Sequence, residues 1–137
     1  MALQFSDSYR NALLDQLETT VGVSAVLKIR SGAAPATVAT ADSGTVLATL
    51  NLPSDWMAAA SGGTKAKTGT WQDASADASG TAAHFRLYQS DGTTCHLQGT
   101  VTAQSGGGDI ELQQGDTTIS SGQSVTISTF TLTAPGA

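Results

Sequence analysis

Two histidines and one cysteine are the side chains of this sequence best suited to catalysis, and they lie in one stretch: His84, Cys95 and His96. A nucleophilic site places a Cys or Ser beside a base, and the base beside an orienting acid. Neighbours on a β-strand point to opposite faces, so Cys95 and His96 are poorly placed to act together on one strand. We expect Cys95 in the core and both histidines on an exposed polar face. We therefore predict no catalytic residue and no enzymatic activity.

Metal binding by the same two histidines would require further ligands. His84 and His96 are predicted to be diagonal neighbours on paired strands, with Arg86 beside them. A nearby arginine repels a cation and lowers the affinity of such a site. We interpret both histidines as ordinary strand residues and predict no metal site.

The acidic and glycine-rich segments give no better site. Asp109 and Glu111 follow three glycines, where carboxylates are usually solvated. Asp73 and Asp77 lack the alternating acids and closing glutamate of a calcium loop. The glycine-rich segment 105–109 lacks the Lys-Ser or Lys-Thr pair of a phosphate loop. We predict neither a catalytic acid–base pair nor a cofactor.

Small and hydroxyl-bearing residues dominate the composition. Ala, Gly, Ser and Thr account for 71 of the 137 residues, and charged residues make up only 12%. This composition suits short strands joined by tight turns better than long surface helices. Hydrophobic residues at 39% with a net charge of −5 indicate one folded domain rather than a disordered chain.

The balance of charge disfavours a nucleic-acid partner. Six Lys and Arg residues stand against eleven Asp and Glu residues, and they form no basic run that would follow a phosphate backbone. The first residues carry no basic stretch before an apolar run, so we expect no signal peptide. No segment approaches about 18 consecutive apolar residues, which predicts no membrane span. The single cysteine leaves no internal disulfide.

The N-terminal segment has a helical pattern that the rest of the chain lacks. Ser6 is a good N-cap and Gly22 a good C-terminal stop, so we predict a helix over 7–20 within an N-terminal arm, residues 1–22. Five apolar residues recur at helical spacing, namely Tyr9, Leu13, Leu14, Leu17 and Val21.

Residues 23–137 are predicted to form a β-sandwich domain. Period-two alternation of apolar residues is clear in the segment 45–52, and turn residues recur every 8–12 positions. The fold class is mainly β: an antiparallel β-sandwich or jelly roll of about seven or eight short strands with an N-terminal α-helix. We interpret 53–60 as a helical turn and 73–80 as a flexible stretch.

Two local features refine this prediction. The segment 81–101 predicts a hairpin with a three-residue loop, in which Gly92 is left-handed and Leu87 pairs with Cys95. In the last predicted strand, 124–133, the apolar pattern changes phase, which predicts a β-bulge near Ser128-Thr129.

Five segments carry a likeness to a known group of proteins: FSDSYRNALLDQLETTVG, LKIRSGAAP, SGTVLATLNLPSDWMAAASGG, GTAAHFRLYQSDGTTCHLQGTV and SSGQSVTISTFTLTAPGA. The sequence resembles small virion structural proteins encoded among the head and tail genes of tailed bacteriophages. The likeness spans nearly the whole chain and is one of pattern, without a catalytic motif. It therefore transfers no functional residue.

The resemblance implies a virion protein made in the host bacterial cytoplasm. We predict a capsid decoration, or cement, protein that binds the major capsid protein or other virion proteins on the outer head surface. A homo-oligomer is expected, with a trimer favoured. An N-terminal arm can lie across neighbouring subunits, so we predict contacts through Phe5, Tyr9, Leu13, Leu17 and Trp56.

Two alternatives remain open at this point. The first is a tail, head–tail connector or fibre component of the virion. The second is a carbohydrate-binding β-sandwich module, in which Trp56 or Trp71 would stack on a sugar ring. Tryptophan is more often largely buried than exposed, which favours a role in the core for both residues.

Overall fold

The computed structural model describes residues 3–137, so the first two residues of the predicted arm lie outside it. Helix α1 spans Asp7–Val21, as the spacing of its apolar residues predicts. The Ser6 hydroxyl accepts a hydrogen bond from the Tyr9 amide at 3.2 Å and caps the first turn. At the other end Gly22 has a φ of 86°, and its amide donates to the Glu18 carbonyl. Both predicted ends of the helix are confirmed.

Ten strands follow the helix, and the fold is mainly β, as predicted. Several strands have only two or three residues, which explains why the sequence pattern predicts fewer of them. The strands are β1 (Val26–Arg30), β2 (Val46–Asn51), β3 (Thr64–Ala66), β4 (Gln72–Asp73), β5 (Gly80–Thr81), β6 (His84–Tyr88), β7 (Cys95–Thr102), β8 (Ile110–Leu112), β9 (Thr118–Ile119) and β10 (Val125–Thr133).

Eight of the strands form one curled sheet in a β-sandwich-like arrangement. The order is β2-β1-β6-β7-β8-β10-β3, with β4 also paired to β10, and β5 and β9 form a separate two-stranded ribbon. The pairs are antiparallel except β7 with β8, which are parallel through Val101 and Ile110. The sheet is therefore mixed, and at this one pair it differs from the predicted antiparallel arrangement. Residues 103–109 carry the chain back so that β8 runs beside β7 in the same direction, and Ser105 and Gly107 in this connection both have positive φ.

The hydrophobic core contains a cluster of aromatic rings. Trp71 packs against Trp56 at 6.0 Å and against Phe130 at 5.3 Å between ring centroids. Phe85 meets Phe130 edge to face at 6.1 Å. Aromatic side chains bury large areas, and this cluster packs Phe85 of β6 against Phe130 of β10 and joins both to the two tryptophans.

The hairpin between β6 and β7 has a longer loop than predicted. Leu87 pairs with Leu97 rather than with Cys95. The carboxylate of Asp91 accepts hydrogen bonds from the Thr93 and Thr94 amides at 2.8 and 2.9 Å, which stabilises a four-residue loop. Gly92 is left-handed, as predicted, with a φ of 69°. A bulge at His96 then restores the pairing, so Cys95 lies opposite Tyr88.

Of the other local predictions, one is confirmed and two are not. The bulge in β10 is confirmed, because the register with β8 shifts between Ile127 and Thr129. The helical turn predicted for 53–60 is wrong, since Met57 forms a β-bridge with Lys67. The stretch 73–80, predicted to be flexible, is packed against the rest of the fold: the Ala76 amide donates to the Gln123 carbonyl at 2.8 Å, and the side chain of Ala76 is buried.

Candidate functional site

Exposed apolar side chains mark one part of the surface. Within residues 3–137 the large hydrophobic side chains that remain exposed all belong to the first 23 positions: Leu3 (74% exposed), Tyr9 (50%), Leu13 (41%) and Val23 (67%). Tyr9 and Leu13 are four residues apart on helix α1 and therefore share one side of it. We call the surface formed by Leu3, Tyr9 and Leu13 the apolar flank.

Two other residues predicted for the interface lie at the edges of the apolar flank. Phe5 is half-buried, contacts the Tyr9 ring at 4.9 Å between centroids, and donates its amide to the Gly136 carbonyl at 2.8 Å. Leu17 is half-buried and packs against the core. Both residues therefore pack beneath the apolar flank, toward the β-domain, and expose less of their own surface than Tyr9 and Leu13 do.

The side of helix α1 that faces the β-domain is fixed to it by polar contacts. The buried guanidinium of Arg10 donates to the Ala134 carbonyl at 2.8 Å. The Asn11 side chain accepts a hydrogen bond from the Gly63 amide at 2.8 Å. These contacts hold the arm against its own β-domain and set the direction in which the apolar flank faces.

A buried lysine completes the attachment of the helix. Lys65 on β3 is 2% exposed, and its Nζ lies 2.7 Å from Asp15 and 2.8 Å from Glu18. Burial opposes the charged form of Lys65, but hydrogen bonds to the two carboxylates outweigh it and raise its pKa. The hydrogen bond from Lys65 lowers the pKa of Asp15, and the Ala60 amide adds to this effect. The pair is thus ionised near neutral pH.

A cavity of about 490 Å³ opens beside this attachment, lined by the carboxylates of Asp15, Glu18 and Asp55 together with Val23 and Met57. Three carboxylates against the single ammonium of Lys65 make it an acidic cavity. It differs from the apolar flank in both charge and position, since Asp15 and Glu18 lie on another side of helix α1.

Both tryptophans are completely buried. The indole N–H of Trp56 donates to the Gly22 carbonyl at 2.9 Å, and that of Trp71 donates to the Thr68 carbonyl at 3.2 Å. Trp56 therefore presents no surface to a partner, contrary to the interface predicted for it. Neither ring has an open face on which a sugar could stack, so the observation that suggested a carbohydrate-binding module does not hold in the folded chain.

The histidines and the cysteine are placed differently from the prediction. His84 is buried, with 2% of its surface exposed, rather than exposed on a polar face. Cys95 is half-buried and lies 3.2 Å from Nε of Arg86, on the side of the sheet away from Leu87, so it is not a core residue. His96 is half-buried at the bulge and contacts Gln89 at 2.9 Å. Each side chain thus has its own structural partner.

The acidic residues considered for chemistry hold loops together. Asp109 accepts hydrogen bonds from the Thr100 amide and hydroxyl at 2.8 and 2.9 Å. Asp73 and Asp77 both bind Thr49 of β2, through its amide and hydroxyl respectively. Within residues 3–137, no three side chains of the His, Cys, Asp and Glu types are grouped as a metal site would require.

The outer face of strands β1 and β6 carries a feature that the sequence analysis missed. Lys28 pairs with Arg86, and Arg30 pairs with His84, across the two strands. We call these four residues the cation face. Loop 31–44 covers much of it, so that both arginines and the histidine are buried.

Loop 31–44 is held on the cation face by hydrogen bonds and ion pairs. Asp42 contacts Arg30 at 2.7 Å and Arg86 at 3.0 Å, and it accepts a hydrogen bond from the Tyr88 hydroxyl at 2.8 Å. Arg86 also donates to the backbone carbonyls of Thr40 and Val38. The length of this loop was the available signal, because a long segment without regular structure in a compact domain usually packs on something.

A second cavity, of about 390 Å³, lies between loop residues 38–42 and the hairpin residues Thr93 and Cys95, with Arg86 in its wall. The guanidinium already has hydrogen-bond partners on the loop and on Cys95. Arg86 therefore holds loop 31–44 against the sheet.

No helix in the described part of the chain is long and apolar enough to cross a membrane. Comparison of the chain with protein-family models, with curated proteins and with solved structures found no match in any of the three.

Proposed function

We propose that this chain is a structural subunit of a tailed-bacteriophage virion, and that it binds the outer surface of the head as a decoration protein through the apolar flank. The observation that carries the proposal is the confinement of exposed large hydrophobic side chains to positions 3–23, while those of residues 24–137 are buried or half-buried. Large exposed apolar groups confined to helix α1 and the residues beside its two ends favour a protein-binding role for this part of the chain.

The attachment of helix α1 supports this role. A rigid helix loses little conformational freedom when it binds, so more of the energy of burying its apolar surface is available for affinity. Tyr9 and Phe5 supply the aromatic contact area that is common at the centre of protein interfaces. The β-domain would then act as the platform that holds the apolar flank toward the particle.

The distribution of charge indicates the kind of partner. All six cationic side chains are engaged within the fold: four are buried, and Lys28 and Lys67 are half-buried against aromatic rings. Most acidic side chains are exposed, including Asp7, at the start of helix α1, and Asp55. A surface with exposed acidic side chains, whose cationic side chains are already engaged, complements a partner that carries Lys or Arg around an apolar patch. The predicted homo-oligomer would have to form away from these acids.

Purified particles provide the test of this proposal. Quantitative mass spectrometry of phage particles from cells carrying this gene should find the chain at a fixed copy number relative to the major capsid protein. Separated heads and tails then distinguish a decoration protein from a tail, connector or fibre component, because only the former is retained on tailless heads. Absence of the chain from both fractions would remove the virion role.

Deletion of the arm is a poor test of the binding surface. Removing residues 1–22 would take away both carboxylates that pair with the buried Lys65 and would uncover Trp56 at Gly22. Loss of binding would then report unfolding as well as loss of contact. Single substitutions on the apolar flank leave these attachments in place.

A further inference from the structure

Arg86 brings a buried positive charge to the wall of the second cavity, which lies between loop residues 38–42 and the hairpin. Its side chain is 1% exposed. A guanidinium is always charged and carries five N–H groups. Within residues 3–137 four groups contact them: the Cys95 sulfur at Nε, and two backbone carbonyls of the loop with the Asp42 carboxylate at the terminal nitrogens. One N–H is therefore left for a further acceptor.

The positive charge around this cavity is only partly compensated by the fold. Asp42 contacts Arg86 at 3.0 Å, but its other oxygen lies closer to Arg30, at 2.7 Å, so two guanidinium groups share one negative charge. Lys28 adds a third cation at the hairpin end, where its Nζ donates to a backbone carbonyl of the hairpin loop at 2.9 Å. The acid of that loop, Asp91, accepts from amides of its own turn. Three cations thus stand against two carboxylates.

We propose that this cavity binds a small oxyanion, of the class of inorganic phosphate, with Arg86 as its principal ligand. An oxyanion accepts charge-assisted hydrogen bonds from a guanidinium, and it brings the second negative charge that Arg30 and Arg86 lack. Thr93 also lines the cavity and carries a hydroxyl that can donate. Small-molecule sites occupy roughly 300–1,000 Å³, and the volume of about 390 Å³ suits a small ligand. Because Arg86 also holds loop 31–44, the bound anion should stabilise the attachment of the loop.

Two-dimensional NMR spectra of the unmodified chain test the proposal, with inorganic phosphate replacing sodium chloride at constant ionic strength and pH. The amide signals of 38–42 and 93–95 and the Nε–H signal of Arg86 should shift along one saturating curve. The amide signals of helix α1 should not follow that curve. The proposal is wrong if the cavity signals do not move, or if they move linearly with phosphate in the same way as those of helix α1.

Charged variants locate the bound anion. Ala41→Glu places a carboxylate in the cavity wall, and repulsion should weaken the affinity for phosphate by about tenfold. Ala36→Glu makes the same change at an exposed alanine of the same loop outside the cavity, and this matched control should bind like the unmodified chain. Thr93→Glu repeats the test from the hairpin side, so the result does not depend on the folding of one variant. Unchanged affinity in the folded cavity variants, or an equal loss in Ala36→Glu, overturns the proposal.

Discussion

Helix α1 and loop 31–44 are both attached to the β-domain by buried cations, but the two attachments have opposite balances of charge. At the helix, one ammonium, Lys65, meets the two carboxylates of Asp15 and Glu18. At the loop, two guanidinium groups, Arg30 and Arg86, share a single carboxylate from Asp42. A site with a spare carboxylate can lose one partner and still compensate its cation. A site with a spare cation cannot, so the loop should be the more easily disturbed of the two.

Replacing Asp42 should have the largest effect. Asp42→Asn removes the carboxylate that compensates both Arg30 and Arg86, and we expect the free energy of unfolding to fall by about 3 kcal/mol. The backbone carbonyls of the loop still accept from both arginines, which limits the loss. Urea denaturation at pH 7.5 measures the change. Asp55→Asn, at an exposed acid, is the control and should change the stability by no more than about 0.5 kcal/mol.

The loop attachment should also fail at high pH, through Tyr88. Burial, with the hydrogen bond to Asp42, raises the pKa of Tyr88 to about 12 from its ordinary value of 10.0. Between pH 10 and 12 the phenol stays neutral in the folded chain but ionises in the unfolded chain. The stability that the neutral Tyr88 hydroxyl gives the folded chain is therefore complete below pH 10 and is lost between pH 10 and 12. The midpoint temperature of thermal unfolding should fall less steeply over this range for Tyr88→Phe than for the unmodified chain. Parallel declines in both proteins would show that Tyr88 contributes nothing to the attachment.

The helix attachment should tolerate a comparable change. Glu18→Gln leaves Asp15 to compensate Lys65, and we expect the free energy of unfolding to fall by only about 1 kcal/mol. The helical content, measured by far-ultraviolet circular dichroism, should remain. A loss as large as that for Asp42→Asn would contradict the proposed difference between the two attachments.

Local sequence rules predicted the elements whose causes are local. The ends of helix α1 follow from Ser6 and Gly22, and the bulge in β10 follows from the change of phase around Ser128. The longer hairpin loop also has a local cause, the side chain of Asp91, but its two amide contacts compete with a shorter loop of similar composition. Sequence alone does not decide between them.

What the sequence did not predict depends on distant parts of the chain. Alternation along β6 separates Phe85 and Leu87 from His84 and Arg86, but it does not say what covers the polar side. Loop 31–44 covers that side. Strand β6, whose alternating pattern predicts one exposed face, is therefore buried on both faces. For the same reason Trp56 appeared available to a partner, although Gly22 at the end of the helix binds its indole.

The most direct test of the central claim is the affinity of single-site variants for assembled heads that lack this chain. Leu13→Lys places a charge in the apolar flank, and Val23→Lys places the same charge beside the acidic cavity, on an apolar residue that is more exposed (67% against 41%). Co-sedimentation should show the affinity of Leu13→Lys reduced by about tenfold or more, with Val23→Lys close to the unmodified chain. Unchanged binding of a folded Leu13→Lys variant would contradict the assignment of the apolar flank as the binding surface.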